Sequence, residues 1–344
     1  MNERFLPDRI LFDNGRPPRV LPMVDHYAGS EKFMLKALAL QCEKGPVFDL
    51  TLDLEDGSTA GREHEQTELV SHVLCDAGNL FGRVGIRIHD ATSRFWKMQC
   101  AQTIRAGHRP PAYVTLPKVT GVKQVFEVAR YISALRENAG IRERVALHVM
   151  IEEPGALSCL ETIVRLPEVE CVSFGLLDFI SSFNGALPIS LIASPNEFTS
   201  PIINDAKVKI STLCHANGKV PSHSLCSELK DPNVISSHAA TAFNSLGFRR
   251  MWSIHPHQIE PILQASKPPK EEIQRAAMIL ELAVRQNWAP IRYEDRLHDR
   301  ASYRYFWAVL KTAYMTGSEL PMGVQQLFKR DVSTGGSAHV VRVR

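Results

Sequence analysis

Eight short apolar runs, each followed by a stretch with helical spacing, constrain this chain more than any other feature. The runs are Arg19–Val24, Val47–Leu54, Val84–His89, Tyr113–Pro117, Val145–Ile151, Val169–Gly175, Gly218–Pro221 and Met251–His255. Most end at Gly, Pro or a charge, the form that fully buried parallel strands take. Between them, Ser30–Cys42 spaces Phe33, Leu35, Leu38 and Ala39 helically, and Gly121–Glu137 does the same with Val125, Val128, Ala129, Ile132 and Leu135. Ile202–Ala216 and Asp231–Leu246 repeat the pattern. Eight strand–helix pairs over about 260 residues predict an α/β fold, a (β/α)8 TIM barrel. An open doubly wound sheet would carry G-x-G-x-x-G after its first strand, and this chain has none there.

The alternation stops at Lys267-Pro268-Pro269-Lys270. Residues 1–266 therefore read as the barrel, 267–332 as a C-terminal helical extension acting as lid and oligomerisation element, and 333–344 as a mobile tail. Within the extension, Glu271–Gln286 and Ser302–Tyr314 read as helices and Trp288–Asp299 as loop. A net charge of +3 without a basic run argues against nucleic acid or a membrane surface as partner. No window approaches the roughly 18 apolar residues of a membrane span. Seven scattered cysteines with no C-x-x-C predict neither a disulfide frame nor a zinc ribbon, and point to a reducing, cytoplasmic setting. The opening MNERFLPDRI lacks the apolar core of a signal peptide.

Charge collects where these strands end. The second ends Asp53-Leu54-Glu55-Asp56-Gly57, the third carries Arg87 and ends His89-Asp90, and the fourth ends Pro117-Lys118. The fifth, Val149-Met150-Ile151, runs into Glu152-Glu153, and the sixth ends on Asp178. A barrel gathers those ends at one mouth, where its catalytic groups sit. Single acids such as Glu153 or Asp90 are expected to cap the next helix. Several carboxylates at one mouth repel and shift one another, a penalty that a divalent cation removes. Oxygen-only donors suit Mg²⁺ or Mn²⁺ and not zinc. Pro154-Gly155-Ala156 opens a helix whose free N–H groups favour an anion. Metal, Arg87 and helix N-terminus together make a receptor for an α-oxo or enolate group. H-E-x-x-H, G-x-S-x-G and P-loop patterns are absent, and His255 and His257 diverge if their segment is extended.

The strings DLEDG (53–57), RIHD (87–90), LPKV (116–119), IEEPGAL (151–157), FGLLDF (174–179) and WSIHPHQI (252–259) resemble the HpcH/HpaI aldolase and citrate lyase β-subunit-like superfamily. Six motifs match in order, and the closer branch is that of malyl-CoA and citramalyl-CoA lyases. The resemblance implies a barrel, a homotrimer or hexamer, and a Mg²⁺-dependent carbon–carbon lyase. It implies Glu152 and Asp178 as metal ligands and Arg87 as the residue gripping the oxo-acid oxygens. Glu55 and Asp56 fall on the acidic pair near the metal. Lys118 falls on the LPK lysine, its role open between structure and site electrostatics. The segment Leu297-His298-Asp299-Arg300-Ala301-Ser302-Tyr303 is similar to a C-terminal motif whose Asp enters a neighbouring subunit's site as general acid/base. That implies Asp299, with Asp295 as fallback; the competing reading is that Asp299 caps the helix at Ser302.

Departures fall where an acyl group or CoA would be handled. Gly247-Phe248-Arg249-Arg250-Met251-Trp252 and Lys219–Asp231 differ from the family pattern, and His89 stands for its Asn. Arg249, Arg250 and Lys219 are either phosphate contacts or solvated surface charge. The expected reaction is cleavage or formation of a β-hydroxyacyl compound, a CoA thioester or a free acid, through an enolate and an α-oxo acid. A metal- and oxo-acid-binding protein without chemistry is the alternative.

Overall fold

The structure, a computed structural model, describes residues 7–12, 17–107 and 109–328. The expected mobile tail at 333–344 lies outside the described residues. Two compact units are present: Arg19–Ala265, and the segments up to Pro18 and from Ser266 onward.

In the first unit eight strands close into a barrel in sequence order. They are β1 (Val24–Ala28), β2 (Phe48–Asp53), β3 (Val84–Arg87), β4 (Tyr113–Leu116), β5 (Ala146–Ile151), β6 (Val169–Phe174), β7 (Val220–His223) and β8 (Arg250–Ser253). Every pair is parallel, and β8 returns to β1. Helices are numbered along the whole chain, α1 (Pro7–Leu11) belonging to the second unit. The barrel strands are followed by α2 (Glu31–Lys44), α3 (Glu63–Leu74), α4 (Trp96–Arg105), α5 (Val122–Asn138), α6 (Pro154–Arg165), α7 (Leu176–Ser181), α8 (Pro201–Ala216), α9 (Pro232–Ala240) and α10 (Pro256–Ser266). This is the (β/α)8 barrel that the alternation predicts.

β1 corrects the expected strand at Arg19–Val24. Arg19 and Val20 of that run are exposed, outside the barrel wall, and only Val24 belongs to the strand. The strand begins instead at Val24 and runs through Asp25, His26 and Tyr27, all buried. Polar residues are accommodated because alternate side chains face the barrel interior, which is itself polar. Along β2, Phe48, Leu50 and Leu52 pack in apolar clusters, while Asp49, Thr51 and Asp53 make polar contacts. Thr51 Oγ1 donates to Asp25 Oδ1 at 2.6 Å, and Tyr113 OH reaches the same oxygen from β4 at 3.1 Å. Arg250, fully buried on β8, pairs with Asp25 at 3.0 Å and with Asp49, which Arg83 also holds at 2.6 Å.

The second unit packs α11 (Lys270–Arg285), α12 (Arg300–Met315) and α13 (Met322–Phe328). Ile273, Ala276, Ala277, Leu280 and Ala283 share a core with Tyr303, Phe306 and Leu310. Trp288–Asp299, expected as loop, contains a hairpin of β9 (Ile291–Tyr293) and β10 (Arg296–His298). Its two turn residues, Glu294 and Asp295, have φ of 47° and 56°, as a two-residue hairpin turn requires. Three-residue strands are too short to show period-two alternation. α1 joins this unit, with Leu11 in its core and Asp8 bonded to Trp307 Nε1 at 2.7 Å and Lys311 Nζ at 3.0 Å. The barrel span expected from the sequence, 1–266, includes this helix.

Candidate active site

Arg87 and Asp53 are register partners on β3 and β2. Their side chains therefore meet as a fork: Arg87 Nε donates to Asp53 Oδ1 at 2.7 Å and Nη2 to Oδ2 at 2.5 Å. Nη1 lies 3.1 Å from Glu55 Oε2, and the guanidinium sits 5.4 Å from the centre of the Tyr27 ring. Burial opposes the charge on Arg87, but Asp53 and Glu55 outweigh it and raise its pKa further. Asp53 also accepts from the Gly57 N–H at 2.9 Å. A Cβ on Gly57 would stand 2.2 Å from Asp53 Oδ2, so the turn after β2 needs glycine there.

Lys118 holds the next acids. Its ammonium bonds Glu55 Oε1 and both oxygens of Asp56, at 3.0 and 2.9 Å. Its backbone is left-handed, φ 50°, at a strain cost of about 1 kcal/mol. That conformation directs its N–H to Glu152 Oε2 at 2.6 Å while the side chain reaches Glu55. Burial opposes the Lys118 charge, and Asp56 and Glu55 more than offset it, so its pKa is raised. Burial also pushes Glu55 up, whereas Asp56 is held low by Lys118 against the cost of its partial burial.

Glu152 is different. It is 2% exposed, at the end of β5, and Lys118 N–H is its hydrogen bond. Burial raises its pKa to about 7, with Asp178 adding to the rise. Asp178 lies half-buried in the first turn of α7. A Cβ on Gly175, which precedes α7, would come within 2.4 Å of Glu152 Oε1. The glycine of FGLLD thus makes room for the Glu152 carboxyl.

The other expected residues divide. Gly155 is exposed at the start of α6, but Ala156 is buried and its N–H turns back to the Glu153 carbonyl at 3.1 Å. Glu153 sits at the N-cap of α6 without a side-chain cap bond, and Asp90 closes a local turn on Thr92, since α4 starts only at Trp96. Asp299, in the second unit, caps α12: its Oδ1 accepts from Ala301 N–H at 3.0 Å and Ser302 N–H at 3.4 Å. Asp295 is an exposed hairpin residue paired with Arg292 at 2.8 Å. Arg250 is neither a phosphate contact nor surface charge, being the buried partner of Asp25 and Asp49. Lys219 Nζ donates to the Leu166 and Val169 carbonyls. His255 and His257 do not diverge; α10 starts between them and their rings lie 4.6 Å apart.

Asp53, Tyr27 and Trp252 were not singled out from the sequence. The in-register position of Asp53 opposite Arg87 becomes visible only once β2 and β3 are paired. Among the described residues, Tyr27 OH and Trp252 Nε1 are buried without a hydrogen-bond partner, on rings 5.2 Å apart. Buried donors of this kind are rare unless a ligand or water meets them.

Residues 36–256 match the HpcH/HpaI aldolase/citrate lyase family. An L-malyl-CoA/β-methylmalyl-CoA lyase from Rhodobacter capsulatus is 25% identical over 283 residues, 77% of this chain and 87% of its own. A citrate lyase from Burkholderia xenovorans LB400, of known crystal structure, is 48% identical, with a TM-score of 0.82 over 94% of this chain and 99% of that one. CitE from Mycobacterium tuberculosis, solved with magnesium, acetoacetate and coenzyme A, shares the fold at 18% identity, with a TM-score of 0.62 over 86% of this chain and 98% of that one. With a closed eight-stranded barrel and the family's match running from α2 to the start of α10, this chain belongs to the HpcH/HpaI aldolase/citrate lyase family and is a carbon–carbon lyase.

Proposed function

We propose that the barrel mouth splits a β-hydroxyacyl-CoA thioester of the malyl type into an α-oxo acid and an acyl thioester, or joins the two, with Mg²⁺ at Glu152 and Asp178. One observation carries this. Asp53, Glu55, Asp56, Glu152 and Asp178 supply five carboxylates, and the cations bonded to them, Arg87 and Lys118, serve the first three. Glu152 is left buried with a backbone N–H and the repulsion of Asp178. Two such oxygen donors fit Mg²⁺, or Mn²⁺, with water in the remaining positions. The relative that cleaves malyl-CoA and the CitE complex with magnesium and coenzyme A support the substrate class.

When bound, the cation supplies Lewis-acid charge to the oxygens of the oxo acid. Arg87 spends three of its five N–H groups on Asp53 and Glu55, leaving two for a carboxylate. The start of α6 at Gly155 adds positive dipole to the same anion. Tyr27 OH and Trp252 Nε1 are donors without partners among the described residues. In cleavage a base removes the β-hydroxyl proton, and the C–C electron pair moves to the acyl α-carbon and its carbonyl oxygen. A proton delivered to that carbon completes the reaction. We assign that proton to Asp299 of a second copy in a trimer or hexamer. Asp299 is exposed, and the cap bonds both use Oδ1, leaving Oδ2 over.

A second reading, an aldolase acting on free hydroxy-oxo acids, draws on Arg250 and Lys219, whose cations are bonded to Asp25 and Asp49 and to the Leu166 and Val169 carbonyls rather than placed to meet a phosphate. Release of glyoxylate or pyruvate from malyl-type thioesters, compared with the matching free acids, separates the two. Mg²⁺-dependent turnover of the thioester is the expected result; turnover of free acids alone would move the substrate to the second reading.

A further inference from the structure

A group of polar side chains outside the mouth is built like a metal site of a different kind. Glu197 lies in a 3-10 turn (Asn196–Phe198) before α8, His223 ends β7, and His238 lies in α9. All three are buried, with donor atoms within 4.8 Å of one another. Glu197 Oε1 is 3.1 Å from His238 Nδ1, and Glu197 Oε2 is 3.9 Å from His223 Nε2. Among the described residues, His223 Nε2 and His238 Nε2 have no hydrogen-bond partner, and Glu197 Oε1 and His238 Nδ1 have none beyond their own close approach.

The tautomer of His223 sharpens this. Its Nδ1 lies 3.0 Å from the Ser224 carbonyl, which only accepts, so Nδ1 carries the proton. Nε2 therefore turns a bare lone pair toward a carboxylate. Two acceptors facing each other in a dry interior repel unless a cation lies between them. The ammonium of Lys207 does not fill that place: it donates to Glu197 Oε2 at 2.6 Å and sits 4.3 Å from the Phe198 ring. It holds Oε2, the oxygen 3.9 Å from His223 Nε2, and leaves Oε1 to face His238 Nδ1. That is how outer partners orient metal ligands, and a His whose far nitrogen bonds a backbone carbonyl is the usual form of a metal-bound imidazole. Donors at about 2.1 Å from a tetrahedral ion stand about 3.4 Å apart, a contraction that side-chain rotation supplies.

We infer that Glu197, His223 and His238 bind a second divalent ion of borderline character, Zn²⁺ or a neighbour in the first transition row, which ties the loop before α8 to β7 and α9. Two imidazoles and one carboxylate select such ions over Mg²⁺. The site is closed to solvent, so the ion enters during folding.

The test refolds the full chain with Co²⁺, a spectroscopic stand-in for Zn²⁺, and desalts it into excess Mg²⁺ to clear oxygen-only sites. Expected are one retained Co²⁺ per chain, a visible ligand-field band of low coordination number, and two imidazoles in the X-ray absorption fine structure. The ion is lost in His223→Gln and His238→Gln and kept in Asp178→Asn. Should the histidine variants misfold, the imidazole count in the unmodified protein still decides. Wild-type protein that keeps no Co²⁺, or keeps it without imidazole ligands, overturns the assignment, as does undiminished retention in both folded histidine variants.

Discussion

Two ionic layers lie inside the same barrel, and they differ in balance. The inner layer joins Asp25 and Asp49 to Arg250 and Arg83, two carboxylates and two guanidiniums, nearly all of it buried. The layer at the mouth sets Asp53, Glu55, Asp56, Glu152 and Asp178 against Arg87 and Lys118. The inner layer is balanced, two carboxylates against two guanidiniums. The outer one cannot be neutral by its own side chains, and the surplus concentrates on Glu152. Buried charge that is balanced holds a fold; buried charge that is unbalanced marks where a ligand belongs.

Substitutions in the two layers should therefore move stability in opposite directions. Replacing Glu152 with Gln should lower kcat by about 10²–10³-fold or more while raising the Tm of the metal-free protein, because it removes an uncompensated buried charge. Arg250→Met should instead lower stability, by about 3–5 kcal/mol, by stranding Asp25 and leaving Asp49 to Arg83 alone; chemical denaturation beside steady-state kinetics reads both. A Glu152→Gln protein that is less stable than wild type at neutral pH would erase the contrast.

The pH dependence of the mouth follows from Glu152. Its carboxyl titrates near 7 in the fold against about 4.5 when exposed. Below the exposed value both states are protonated and nothing is lost. Between about 4.5 and 7 the unfolded chain ionises this residue while the folded, metal-free protein keeps it protonated, so the fold forfeits about 3 kcal/mol relative to pH 4, a loss complete once pH passes 7. Thermal scans with and without Mg²⁺ should converge at low pH and separate above 7. Mg²⁺ affinity should fall up to about tenfold per unit below 7, and an affinity flat from pH 5 to 8 would exclude Glu152 as ligand.

Asp299 gives the smallest stability effect and a sharp distinction. Asn caps helices as well as Asp, so Asp299→Asn should leave Tm nearly unchanged, whereas Asp299→Ala should cost about 1 kcal/mol. If Asp299 shuttles a proton, both variants lose turnover alike. Full activity in Asp299→Asn would reduce the residue to its cap.

The barrel was legible because its strands are buried on both faces and its helices are amphipathic, so both periods survive in the sequence. The acids at the strand ends were legible because a parallel barrel places every strand terminus at one mouth. What escaped needed pairing across strands. Asp53 reads as one acid among several until register sets it beside Arg87. Arg250 reads as surface charge until β8 closes onto β1. β1 itself was missed because its Asp25, His26 and Tyr27 look like loop unless the barrel interior is known to be polar. Glu197, His223 and His238 are separated by up to 41 positions and share no motif spacing.

The most direct measurement is anomalous diffraction from crystals soaked in Mn²⁺ and pyruvate. One strong manganese peak within bonding distance of both Glu152 and Asp178, with the pyruvate carboxylate against Arg87, is the predicted result. A peak that touches neither carboxylate, or pyruvate bound away from Arg87, would contradict the placement of the lyase site.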